Sequence, residues 1–300
     1  MRRQIEKLES LLEVVLFTRA TNGLVPTELA LAMLPHAESI AANARALVRA
    51  ASGSRDGDRG TVRLAASEVM GVEVLPAILA RLAARQPRIQ IELVLSNRNE
   101  DLIRRDADLA VRMVRPTQEG LVSRRIGQVE LGLFASAEYL AQHRAPKDAG
   151  ALTAGHALIG GDRDRGFIDA LAQLGVSTTP RDFTLRSDSQ VAQLAAVRAG
   201  LGIGVCQLPL ARRAPALQRV VPALGFALEI YVVMHEDLRG AKRVRTVFDH
   251  LAGELTRYAS EGAAKRASLS ERRPSTSRSD SPTRGARRSS RGRAPPRRSG

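Results

Sequence analysis

Apolar and polar positions change period several times along this chain, and the changes divide it. In "MRRQIEKLESLLEVVLF" Ile5, Leu8, Leu11 and Leu12 recur at helical spacing, with Arg3, Gln4 and Lys7 on the other side. The next stretch, "TRATNGLVPTE", carries the Asn22-Gly23 turn signal between short runs, which predicts a two-stranded wing. Thr27-Glu28 then opens a long helix with a capping hydroxyl and a first-turn negative charge. Within it Met33, Ala37, Ile40, Ala44, Leu47 and Ala51 follow the spacing of a coiled-coil seam; the helix either packs on its own chain as an ordinary amphipathic helix or, as its isolation between a wing and a linker favours, pairs with a second chain. Pro35 should bend it or weaken one turn. "SGSRDGDRG" (52–60) has no apolar residue and reads as a linker.

Beyond the linker, period-2 and period-3.6 segments alternate. "TVRLAAS" (61–67), "RIQIELVLS" (88–96) and "DLAVRM" (108–113) read as strands, separated by a helix over 71–87 and a short helix at "NEDLIRRDA". Pro76 is tolerable only if the regular helix begins near it. This β-α-β-α-β order implies a parallel sheet with helices on its faces. "LVSRRIG" and "VELGLFAS" follow as strands. A second set comes next: strands at 156–162, 182–187 and "GIGVCQL", with helices near "GFIDALAQLG" and "SQVAQLAAVRAG". The strand "ALEIYVVMHED" (227–237) and a helix over 241–258 close the pattern. Two α/β lobes joined by crossing strands leave a cleft in which strand ends and helix N-termini converge, and small ligands bind in such places.

Composition changes this picture at one end. The chain has 300 residues and a net charge of +15, of which +9 lies in residues 261–300. That segment is dominated by Arg, Ser, Pro, Gly and Ala and has a single large apolar residue, Leu269, so it is expected to be a disordered basic tail. It is either a nucleic-acid-binding arm or a solvated extension. The remainder is only mildly basic, and 44% of the whole chain is hydrophobic, enough for a sizeable core. The lone cysteine, Cys206, excludes an intramolecular disulfide and a cysteine metal cluster. It lies in an apolar strand and reads as a buried inert thiol. No segment has the apolar length of a membrane span, nor is there an apolar signal core, so a cytoplasmic location is expected.

Candidate chemistry is sparse. The five histidines (His36, His143, His156, His235, His250) lack metal-ligand spacing and read as surface or packing residues. "GLGIGV" (200–205) resembles a phosphate loop superficially, but its glycines follow a helix and enter a strand, so they read as turn and close packing. No acid-base or nucleophile set is present, which argues against an enzyme, and no cofactor is expected. By position at strand ends, the cleft residues are Ser67, Glu68, Ser96, Asn97, Met113 and Arg115 from one lobe. Asp162, Asp188, Gly202 and Ile203 face them from the other. Ser67 ends a strand just before a helix and is either a simple cap or a hydroxyl facing ligand. Arg115 and the helix N-termini suit a carboxylate, while Glu68, Asp162 and Asp188 argue against a strongly anionic ligand.

The combined pattern resembles the LysR family of bacterial transcriptional regulators. Its recognition helix ends in an Arg-Gln-Ile run, here Arg3-Gln4-Ile5, and continues to Leu8-Glu9, Leu16-Phe17, Arg19, Leu24 and Thr27. "AAVRAGLGIGVCQLP" (195–209) matches the family's Ala-Gly-x-Gly-Ile stretch. The resemblance extends to about residue 258. It implies an α/β chain with a partial winged helix-turn-helix (1–26), a dimerising linker helix (27–52), a hinge linker (53–60) and a two-lobe effector domain (61–260) like periplasmic binding proteins, ahead of the tail (261–300). The implied partners are promoter DNA, a small-molecule effector and further copies of the chain as a homodimer or homotetramer. Arg2, Arg3, Gln4, Lys7, Arg19, Thr21 and Asn22 are the expected DNA contacts. The sequence departs from the family in carrying two residues ahead of the Arg-Gln-Ile run where the helix-turn-helix needs about thirty. A dimeric ligand-binding module without sequence-specific DNA binding is therefore the alternative expectation. Glu13 stands where the family has glycine after the recognition helix, and Ala30 replaces a glycine early in the linker helix.

Overall fold

The computed structural model describes residues 2–21, 23–53, 57, 59–97, 107–118, 120–173, 175–214 and 216–270. Its first helix, α1 (Arg2–Leu12), ends where Glu13 takes a left-handed backbone, φ 54°. Val14 N–H then reaches back to the Glu9 carbonyl at 3.1 Å, the closure that usually employs glycine. The Glu9 carboxylate accepts the amides of Leu16 (2.7 Å) and Phe17 (3.0 Å), tying α1 to the wing. The wing is the hairpin β1 (Phe17–Ala20) and β2 (Gly23–Pro26), paired from Phe17↔Pro26 to Ala20↔Gly23. Thr27 caps the long helix α2 (Glu28–Gly53): its hydroxyl accepts the Ala30 amide at 3.2 Å and donates to the Val15 carbonyl at 3.0 Å. Pro35 lies inside α2, and the helix continues through it.

The body alternates as its periodicity predicts. Its elements are β3 (Gly60–Ala66), α3 (Leu75–Arg85), β4 (Ile89–Leu95), β5 (Leu109–Arg112) and β6 (Leu121–Ser136), then α4 (Ala137–Gln142) and α5 (Gly150–Thr153). There follow β7 (Leu158–Gly160), α6 (Gly166–Gln173), β8 (Phe183–Arg186), α7 (Gln190–Arg198), β9 (Gly204–Gln207), α8 (Leu208–Arg213), β10 (Leu217–His235) and α9 (Lys242–Ser270). Six strands form one sheet in the order β4-β3-β5-β10-β6-β9, and β7 pairs with β8. The expected parallel sheet is mixed: β4-β3-β5 is parallel, but β10 runs antiparallel to β5 and β6, and β6 antiparallel to β9.

Two further expectations change. "LVSRRIG" and "VELGLFAS" are one 16-residue strand, not two. It runs on through Gly127, where an added Cβ would lie 3.2 Å from the Ala259 methyl on α9. The closing helix does not stop at 258; α9 extends to Ser270, into the segment expected to be disordered. The alanines of "GAAKRASLS" are strong helix formers. The short helix expected at 99–107 falls almost wholly outside the described residues. Residues 1–264 form one compact unit; residues 265–300 are a second, described only to Ser270.

Three clusters of buried residues are described; the largest runs from the first lobe into the second through Ile159, Leu194, Val197 and Cys206, and the smallest, around Ala65, Ala110 and Val233, lies within the sheet. The largest is the first core: Leu64, Leu109, Val111 and Val232 of the sheet meet Leu75 and Ile78 of α3 and Val247, Leu251 and Leu255 of α9. In the second core Leu133, Leu152, Leu158, Leu171 and Ile203 close around the β7–β8 pair. The long strands β6 and β10 belong to both lobes, so the lobes are joined at the middles of two paired strands.

Candidate functional site

β3 ends at Ala66, and Ser67 and Glu68 follow at the start of a helical segment. That segment begins with a π-helical turn, Met70–Val74, before α3 takes over with Pro76 in its first turn. Such turns are rare in helices and frequently mark functional sites. The Glu68 amide donates to Asn97 Oδ1 at 3.1 Å, so the end of β3 is laced to the residues just past β4. Ser96 donates its amide to the Ala66 carbonyl at 2.9 Å and accepts from Arg112 Nη1 at 2.7 Å on its own carbonyl. Four residues singled out by position, Ser67, Glu68, Ser96 and Asn97, therefore cluster at one sheet end. Met113 is half-buried beside the first core, and Arg115 is exposed on the loop after β5. The charge of Arg115 reaches the Tyr231–Glu229 pair on β10.

The second lobe meets this cluster through α7. Ser189 caps α7, accepting the Ala192 amide at 3.4 Å, and donates its hydroxyl to Glu68 Oε2 at 2.8 Å. At the far end of α7, Arg198 grips Glu73 with two nitrogens, at 2.7 and 2.8 Å. Those hydrogen bonds, with the guanidinium charge, hold the Glu73 carboxyl below the usual range against the opposing effect of burial. Glu68 and Glu73 thus clasp both ends of one helix. Position at strand ends does not reveal Ser189, Glu73 or Arg198. Ser189 carries a signal of a different kind, a serine directly before an apolar-periodic run.

The acidic residues of the second lobe are already engaged. Asp188 accepts the successive amides of Asp162, Arg163 and Asp164 at 3.0, 2.8 and 3.0 Å, and Arg163 Nε at 2.9 Å. The Asp164 amide, the Arg163 side chain and the other amides hold its carboxyl far below the ordinary value. Asp162 pairs with Arg186 at 3.3 Å. Two expected cleft residues lie elsewhere. Ile203 is fully buried in the second core, and its backbone is spent on Ala157 and Ile159. A Cβ on Gly202 would fall 2.3 Å from the Ala157 carbonyl oxygen, so Gly202 serves close packing.

Outside the cleft, Cys206 is a buried free thiol, and burial pushes it up to about 11, which keeps it protonated at neutral pH. His143 stacks on Tyr139 with ring centroids 4.3 Å apart, and His156 reaches the Tyr139 hydroxyl at 3.3 Å. Among the described residues no group of His, Cys, Asp and Glu could hold a metal ion, and no helix is long and apolar enough to cross a membrane.

In the N-terminal region Arg3, Gln4, Lys7, Arg19 and Thr21 are exposed; Asn22 and the Arg2 side chain lie outside the described residues. Along the seam Met33 is half-buried, and Ala37, Ile40, Ala44 and Leu47 are exposed. The Ala51 side chain is not among those described.

Two lobes hinged on long crossing strands, with a helix N-terminus at their junction, define a ligand-binding domain of the two-lobe α/β class. Residues 55–256 match the LysR substrate binding domain model, two thirds of the chain, and the chain belongs to the LysR family. It is 29% identical over 165 residues to the HTH-type transcriptional regulator DmlR of Escherichia coli, covering 55% of this chain and 54% of that one. It is 30% identical over 158 residues to the regulator CrgA of Neisseria meningitidis, covering 53% of this chain and 52% of that one. The chain spans about half the length of the curated relatives it matches. The solved structure of CrgA superposes with a TM-score of 0.58 at 23% identity over 85% of this chain and 88% of that chain. That of CbnR, a LysR family regulator, superposes at 0.61 and 18% identity over 84% and 88%. These two superpositions speak to the fold alone.

Proposed function

We propose that this chain is a LysR-type transcriptional regulator whose DNA binding responds to a small molecule held between its lobes, and that it is not an enzyme. The observation that carries the reading is the clasp of α7 by Glu68 and Glu73. It links the helix start at Ser67 to the second lobe through contacts that a ligand in the cleft would remake. Asp162 and Asp188 are neutralised by arginines and amides, so they oppose an anionic ligand less than their number suggests. A small organic acid, its carboxylate toward the helix N-terminus at Ser67, suits the site.

The working unit is a homodimer or homotetramer joined along the α2 seam, acting in the cytoplasm on promoter DNA. One relative of this fold, CbnR, has a structure with its target DNA. Ligand binding would shift the balance between lobe arrangements, and the paired α2 helices would carry that shift toward the wing. Arg3, Lys7 and Arg19 would meet phosphates, which position a protein on DNA without reading sequence.

Two experiments test this reading. A panel of small organic acids is screened by thermal shift on the 300-residue chain, and any hit is titrated against Ser67→Ala and Asn97→Ala. Both variants should weaken it by about tenfold; unchanged affinity would remove the cleft from the account. A gel shift on the gene's own upstream DNA, across about 50 to 200 mM salt, should show binding that responds to the same hit. Binding indifferent to the hit would detach the ligand from DNA control, and binding no stronger than to a scrambled fragment would leave only a ligand-binding module.

A further inference from the structure

On one face of β6, Val129 and Leu131 pack into the first core, while Leu133 and Ala135 pack into the second. On β10 the change falls at the same level. Val220, Val221 and Leu224 belong to the second core, and Ile230 to the first, with Phe226 and Leu228 packed against it. The two strands therefore pass from lobe to lobe at Gly132 and Gly225, which are paired with each other. The ladder breaks there: Val220 pairs with Leu133 and Gly225 with Gly132, so residues 221–224 of β10 have no partner on β6. Val221 has φ 42°, a genuine outlier for a β-branched side chain. Such strain persists only where the surroundings hold it.

Arg219 reaches across this break. It stands on β10 opposite Phe134, on the second-lobe side. Its Nη2 donates to Glu130 Oε1 at 2.9 Å and to the Pro222 carbonyl at 3.2 Å. Glu130 stands opposite Ala227, on the first-lobe side. Between these ends the guanidinium runs over both glycines. A Cβ on Gly132 would fall 3.0 Å from Arg219 Nε, and one on Gly225 would fall 2.9 Å from Nη2. Neither glycine has a positive φ, so both are small to leave a seat for the guanidinium rather than to shape the backbone. The Arg219 and Glu130 side chains are 25% and 18% exposed, which shields the pair from the screening that weakens surface ion pairs. Arg219 Nε is buried in the seat without a hydrogen-bond partner, which costs free energy.

We infer that Arg219 is a strap across the lobe crossing, which holds β6 and β10 at one bend and whose release lets the lobes change their angle. The strain at Val221 and the buried Nε both favour release, and the pair with Glu130 opposes it, so the two arrangements are drawn close in energy. The first core continues into the second lobe through α7 and β9, which makes the change a small bend rather than a separation. The inference rests on the fold, and its test needs no ligand in the cleft.

Nitroxide labels at Arg85→Cys, at the end of α3, and Lys147→Cys, just ahead of α5, report the distance between the lobes by pulsed electron resonance; both positions are exposed. The labelled 300-residue chain is diluted with unlabelled chain, so that only distances within one chain are read. Cys206 stays in place, because a buried, protonated thiol reacts slowly. Arg219→Met, of similar length without the charge, should broaden the distance distribution of the parent and add a second component. Gly225→Ala fills the seat with Arg219 intact and should do the same. Arg219→Lys keeps the charge without the planar fork and should fall between. A lowered melting temperature with an unchanged distribution in Arg219→Met would make Arg219 a structural residue only and overturn the strap. Broadening by Arg219→Met with none by Gly225→Ala would overturn the role of the glycine seat. If Arg219→Met fails to fold, Arg219→Lys and Gly225→Ala decide by the same reading, and parent-like distributions in both would overturn the strap.

Discussion

Leu251, on α9, and Ile40, on α2, are both branched aliphatic residues on long helices. Leu251 is wholly buried, whereas Ile40 is 71% exposed. The contrast holds for the regions around them. Large apolar residues of α9 and α3 close onto the sheet, but Leu8, Leu11, Leu34, Leu47 and Val48 in the first fifty residues all stand in solvent. The body is complete within one chain, while the N-terminal helices present an apolar face that a single chain leaves uncovered. A stripe of this kind marks an interaction surface, and under the proposed function its partner is a second copy met along the α2 seam.

The largest expected effects separate the two regions. Leu251→Ala should cost about 2–5 kcal/mol of body stability in denaturant titrations, because it removes contacts and leaves a cavity. Ile40→Asp with Leu47→Asp should leave the melting temperature of the body unchanged yet abolish self-association in sedimentation velocity. A fall in body stability from the α2 pair would break the contrast.

A smaller effect belongs to the α7 clasp. Glu73 is held below its ordinary value in the folded chain. Its pairing with Arg198 therefore contributes fully above the usual carboxylate range, about 4.3, and is lost as pH falls through the lowered folded value. Arg198 is 37% exposed, so screening limits the pair to about 1 kcal/mol or less. Glu73→Gln should open the lobes modestly at neutral pH, read as a larger radius by small-angle scattering, and should remove the acid-dependent opening expected of the parent. Acid opening that persists in Glu73→Gln would assign it to another group. Glu13→Gly should have the smallest effect. It relieves the left-handed backbone at φ 54° and should protect α1 amides by about 1 kcal/mol in hydrogen exchange, leaving the body unaltered.

What the sequence revealed follows the range over which each feature is determined. The wing, the Thr27 cap and the start of α3 at Pro76 are local, and turn and capping chemistry is enough to read them. The left-handed backbone at Glu13 was legible because a glycine is usual there. β6 was not legible as one strand, because Gly127 resembles a break; its small size is needed under Ala259, 132 residues away in sequence. The first half of β10 was hidden by Pro222 and Gly225, which lie in the irregularity between Val220 and Gly225. The clasp partners lie 121 and 125 residues apart, Ser189 with Glu68 and Arg198 with Glu73, and no local pattern signals such pairs. Ile203 was misplaced because its position after a glycine turn suggests a strand end at the cleft, whereas the β7 bridge draws it into the second core.

The central claim is that the body stands alone while α2 needs a second chain. Hydrogen exchange of the 300-residue chain beside its Ile40→Asp/Leu47→Asp variant tests this most directly, with the variant first shown to be monomeric. The account predicts that amide protection over residues 28–53 collapses in the variant, while protection in β3, α3, β6, β10 and the first turns of α9 stays as in the parent. Retained protection of α2 in a verified monomer, or a fall in protection across the body together with α2, would contradict it.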